Sequence, residues 1–141
     1  MTTTPAAGDL VELAHDGRRL SLALVASAHD GFVLVWPVSS PGAPVSPPAV
    51  RVGGGLFGPV FAWPSRETGV DAGLVSRVLG RLLSPTLVAE VADAIDDGAT
   101  PPLQFAPAPP PHLADAALAY SVAMVEAWAR VGDLVPSGAP R

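Results

Sequence analysis

Cysteine is absent from the 141 residues, which removes disulfides, thiol nucleophiles and cysteine metal sites together and fits a reducing compartment. Lysine is absent as well, so all eight basic residues are arginine. That bias, beside abundant Ala, Gly and Pro, points to a GC-rich bacterial or phage genome. No run approaches the roughly 20 apolar residues needed to cross a bilayer, and Met1–Gly8 carries neither basic charge nor an apolar stretch. Membrane spanning and secretion are therefore not expected, and the chain is placed in the cytoplasm.

What is present is a mixed composition. Hydrophobic residues make up 49% of the chain, enough for a folded core, while 17 prolines and 14 glycines forbid regular structure over several stretches. The length allows one core of ordinary size. Charge is divided unevenly: residues 1–81 hold six Arg against six acids, and residues 82–141 hold two Arg against seven acids. The first part can meet a phosphate, and the second repels one.

Alternation predicts a strand over Asp9–His15, a tight turn at His15-Asp16-Gly17-Arg18 where Asp-Gly suits positive φ, and an antiparallel return over Leu20–Ser27. A second His-Asp-Gly precedes Phe32–Val38, whose nearly continuous apolar run reads as the central strand. Four prolines between Pro41 and Pro48 make an extended loop, Ala49–Val52 and Val60–Trp63 read as short strands, and Gly53–Gly55 supplies a bend. Five short strands joined by turns suggest a closed or half-closed antiparallel barrel.

Ser84-Pro85 matches an N-cap followed by proline at the first helical position, and Leu87, Val91 and Ile95 recur until Gly98, predicting a helix whose stripe covers the sheet. Six prolines in residues 99–111 predict an extended tether. From His112 to Val131 a helical pattern returns. Leu113, Ala117, Tyr120, Met124, Ala127 and Val131 form one face, with Leu118, Val122 and Val125 on a second flank. Such a helix packs back on the barrel or forms a partner interface. The expected organisation is a barrel domain over 8–98, a linker over 99–111, an apolar helix over 112–131, and tails at 1–7 and 132–141. The fold class is α+β, mainly β.

Several words in this order resemble the MazF/PemK family of toxin endoribonucleases. Gly8-Asp9-Leu10-Val11 is similar to its opening "GD-[IV]-V" strand. Ser21–Ser27 is similar to "RPAVVLS", Val35-Trp36-Pro37-Val38-Ser39-Ser40 to "VP-x-T-S", and Gly80–Val91 to "GRLSPETLAAVDAAL". The similarity covers residues 8–97. It implies a small SH3-like barrel, a homodimer, an antitoxin-like protein partner, and cleavage of single-stranded RNA by attack of a ribose 2′-OH on the adjacent phosphate. No cofactor is implied. The hydroxyl position falls on Ser39. The family's arginine position is Ser21, which cannot place positive charge on the phosphate, so Arg18 and Arg19 are the substitutes in the preceding turn.

Each candidate has a plainer reading. Ser39 reads also as a strand-end hydroxyl bonded to backbone, and Arg18 and Arg19 as turn solubilisers. Arg66, Arg77 and Arg81 can contact RNA phosphate or pair with Glu67 or Asp71. Phe32, Trp36 and Phe61 are expected in the core, whereas Trp63 is the aromatic expected to be accessible for base stacking; Phe57 is a further stacking candidate. His15, His29 and His112 have no spacing that assembles a metal site. Two function classes therefore stand: an RNA endonuclease or RNA binder, and a non-catalytic interaction module with the barrel as scaffold and helix 112–131 as interface.

Overall fold

A computed structural model describes residues 4–55 and 58–135. The first hairpin forms as its turn chemistry dictates. Strand β1 (Asp9–His15) pairs antiparallel with β2 (Arg18–Ala28), with Leu10 opposite Leu24, and the turn places Asp16 at φ 53° and Gly17 at φ 76°. Strand β3 (Phe32–Ser39) returns beside β2, setting Leu24 opposite Trp36 and Val25 opposite Val35.

Two strands lie beyond the expected five. Strand β4 (Val50–Gly55) pairs with β5 (Gly58–Ala62), and β5 continues onto the end of β3 through Ser39 and Phe61. Strand β6 (Thr68–Asp71) pairs with the start of β3, and β7 (Val75–Arg81) closes onto β1, with Val11 opposite Val78. Both additions are short or weakly patterned, and their pairing with β1 and β3 holds them extended despite this. The sheet runs β4-β5-β3-β2-β1-β7, with β6 branching from β3. The result is a curled antiparallel half-barrel, α+β and mainly β.

At Gly8, φ is 92° and a Cβ would sit 1.9 Å from the carbonyl oxygen of Leu83. Only glycine fits there. Its own carbonyl accepts from the Leu82 N–H at 2.9 Å, so the chain end before β1 clamps the exit of β7.

Because side chains alternate along a strand, the centre of the sheet sends two sets of residues to opposite faces. One face carries Val11, Leu13, Val25, Val35 and Val70; the other carries Leu24, Trp36, Val50, Val52 and Ala62. Helix α1 (Pro85–Asp96) covers the second face with Val88 and Val91, and its first turn is capped by Ser84, whose Oγ accepts from the Leu87 N–H at 3.1 Å. Glu90, Asp93, Asp96 and Asp97 face solvent as expected.

Helix α2 (Ala114–Gly132) packs in cis over the first face with Trp128 and Val131. Its inner stripe is Ala117, Tyr120, Met124, Trp128 and Val131. The expected members Leu113 and Ala127 are exposed, because 3.6 residues per turn carry position 127 off the stripe and 128 onto it, and Leu113 lies in a 3₁₀ turn before the helix. Residues 99–110 lack regular helix, as their prolines require, but they are bound to the sheet at 104–106. The Arg51 N–H donates to the Gln104 carbonyl at 2.8 Å, the Ala106 N–H donates to the Ala49 carbonyl at 2.7 Å, and Phe105 bridges Val50. This strap covers the free edge of β4. Among the described residues, no helix is long and apolar enough to cross a membrane.

Candidate functional site

Ser39 ends β3 where that strand passes from β2 to β5, and the crossing turns its side chain inward. Its Oγ accepts from Trp63 Nε1 at 2.9 Å and shares a 2.6 Å hydrogen bond with the Tyr120 hydroxyl of α2. Ser39 is 2% exposed. A hydroxyl that positions a phosphate has to reach solvent, and this one is enclosed by two partners that would first have to leave. Trp63, expected to be accessible, is 3% exposed, a correction that follows from the same network: its indole N–H is paired inside a cluster with Ala49 and Ala106.

The arginines assigned to the phosphate are gathered elsewhere. Arg77 donates to Glu12 at 3.2 Å, Arg19 lies 3.7 Å from the same carboxylate, and the Ser76 hydroxyl donates to it at 3.1 Å. The hydrogen bond from Arg77, helped by that from Ser76, holds the Glu12 carboxyl below its ordinary value against the opposing effect of partial burial. Arg18 stands exposed at the neighbouring turn. Arg81 pairs with Asp9 at 3.4 Å. For Arg77 and Arg81 the pairings expected with Glu67 and Asp71 are therefore replaced, and Arg66 belongs to none of the ion pairs among the described residues. Glu67 accepts from Trp36 Nε1 at 3.1 Å, and Asp71 caps the Gly73 N–H at 2.9 Å. Tertiary pairing of β1 with β7 brought the nearer carboxylates into reach.

Phe32 also departs from expectation. It is 43% exposed and stacks on His29 with ring centroids 4.7 Å apart, because it opens β3 beyond the covered centre of the sheet. Phe57 lies outside the described residues.

Two grooves flank the N-terminal half of α2 and share Ala117 and Pro109. One, of about 560 Å³, brings Trp63 and Arg66 together with the hydroxyl-bearing Ser46, Ser65 and Ser121. The other, of about 410 Å³, lies between β4, β5 and the proline strap, and contains Arg51, Phe61, Gln104 and Phe105. Tyr120, Arg51 and Gln104 were not singled out for chemistry by sequence reasoning. The signal for Tyr120 was a phenol on an inward stripe, which must find a partner when buried.

The chain matches no protein-family model and no curated protein.

The outer face of α2 completes the site. Leu118, Val122 and Val125, spaced i, i+4 and i+7, are 65%, 49% and 36% exposed. One apolar stripe of this helix is consumed by the core, and a second points to solvent.

Proposed function

We propose that the chain is a non-catalytic protein-interaction module in which the half-barrel is a scaffold and the outer face of α2 pairs with a second copy of the chain. The observation that carries this reading is the aligned, exposed stripe Leu118, Val122 and Val125 on a helix already docked by its other face. Charge favours a second copy in antiparallel orientation. Asp115 and Arg130 lie seven and eight residues either side of Val122, both exposed. A twofold axis near Val122 sets each Asp115 beside the other copy's Arg130, whereas a parallel pair sets like beside like.

Cleavage of single-stranded RNA by a divergent MazF/PemK-like toxin is the competing reading. The burial of Ser39 and the pairing of Arg19 with Glu12 weigh against it. An antitoxin-like partner on the same helix face is the other occupant that the test separates.

A single helix pair buries an area at the low end for stable complexes, so the expected dimer is weak, with Kd in the ~10–100 μM range. Sedimentation velocity across concentration should show a monomer–dimer equilibrium that Leu118→Glu and Val122→Glu each weaken about tenfold or more. Asp115→Arg and Arg130→Asp should each weaken it, and the two together should restore it. A monomer at all concentrations up to about 0.5 mM overturns the second-copy assignment. Cleavage of mixed-sequence single-stranded RNA that is lost in Ser39→Ala and in Arg19→Ala, both still folded by circular dichroism, establishes the enzyme reading instead.

A further inference from the structure

The groove beside the strap has a chemistry that the helix pairing does not use. Five of its wall residues, Pro44, Pro59, Pro107, Pro109 and Pro110, have no N–H to offer, and Phe61 and Phe105 add ring surface. Its donors with exposed positions are Arg51 and Gln104. Among the described residues, Arg51 belongs to none of the ion pairs, which engage His15, Arg19, Arg77 and Arg81. Gly54 leaves it room: the guanidinium Nη2 lies 2.9 Å from where a Cβ on that residue would stand. The cavity, about 410 Å³, lies in the size range of small-ligand sites.

We infer that this groove binds a small apolar monocarboxylate, with its hydrocarbon body against the proline and phenylalanine walls and its carboxylate on Arg51. The fit is one of kind and number. An apolar wall without donors excludes a polyol or a polyanion, since neither finds enough partners there. A single unpaired guanidinium matches one carboxylate, which it can hold by two parallel hydrogen bonds. The Gln104 carboxamide stands at the same groove as a second donor. The site is distinct from the self-association stripe: its walls are the strap, β4, β5, the 43–45 loop, Leu113 just before α2 and Ala117 in its first turn, and none of Leu118, Val122 or Val125 lines it.

Octanoate is a suitable probe, with octanamide as its uncharged counterpart of the same length. Titration of the full chain, followed by calorimetry and by amide chemical shifts, should give saturable one-site binding of octanoate. Shift changes should centre on residues 43–45, 51 and 104–110. Octanamide should bind about tenfold more weakly, the scale of one charge-assisted contact at an accessible site. Arg51→Gln, at an exposed strand position, should remove that preference, and Arg51→Lys should keep part of it. The inference is overturned if octanoate does not saturate, if the acid and amide bind the native chain equally, or if Arg51→Gln leaves the preference intact. Shifts that fall on another part of the molecule overturn it equally.

Discussion

At Ser39 a motif-like stretch of sequence and its surroundings part company. The hydroxyl joins three segments, since β3 carries it, Trp63 follows β5, and Tyr120 belongs to α2. Ser39→Ala takes the partner from the buried Trp63 indole N–H and the half-buried Tyr120 hydroxyl at once, and the cost of leaving a buried group unpaired is about 1–3 kcal/mol. Chemical denaturation should show that loss with little change in the slope of the transition. A variant as stable as the native chain would mean that the network contributes nothing. Glu12 supplies the residue-scale test of charge. Its carboxyl is held below the ordinary value of 4.5 in the folded chain, so the folded state binds that proton less readily than the unfolded one. The stabilisation is complete above the ordinary value and is lost as pH falls through the lowered one. Glu12→Gln should therefore be less stable than the native chain at neutral pH and converge with it in thermal melts once the pH has fallen through the lowered value. A gap that is independent of pH would assign the effect to packing.

Among the elements, the strap at 104–106 and α2 have different jobs that depend on each other. The strap supplies hydrogen-bond partners to the edge of β4, and α2 closes the sheet face built on Val11, Val25 and Val35. Removing residues 99–141 takes away Trp128 and Val131 from one core cluster and Ala106 from another. Loss of one large buried aromatic alone costs about 3–5 kcal/mol, a large part of the stability of a domain this size. The truncated chain should therefore lose cooperative unfolding and bind a hydrophobic dye. A cooperative melt at the native temperature would show that the half-barrel stands alone. Helix α1 differs in this respect, since its cap and its buried valines come from residues beside the sheet in sequence.

On the scale of the whole molecule, charge and exposed apolar surface are laid out apart. Three of the six arginines of residues 1–81 are tied to carboxylates around β1 and β7, while the acids of α1 face water without offsetting cations nearby in sequence. A surface of this kind repels polyanions over most of its extent and leaves the α2 stripe as the place where association gains most. The proposed twofold pairing adds local attraction between Asp115 and Arg130 to that apolar contact, so raised salt acts on the pair weakly and apolar-to-charged changes act on it strongly.

The local signals were strong where one short stretch decides its own conformation. Asp16-Gly17 set the hairpin, Ser84-Pro85 set the start of α1, and alternation sent Val11 and Leu13 inward. Even the extended strap is dictated by its prolines. Partnership was another matter. Strands β6 and β7 exist because β3 and β1 offer them an edge, Arg77 and Arg81 chose carboxylates that are distant in sequence, and the wall that buries Ser39 arrives from residue 120. Backbone torsions and periodicity act over a few residues, whereas burial and pairing depend on which distant segments the closed sheet brings alongside.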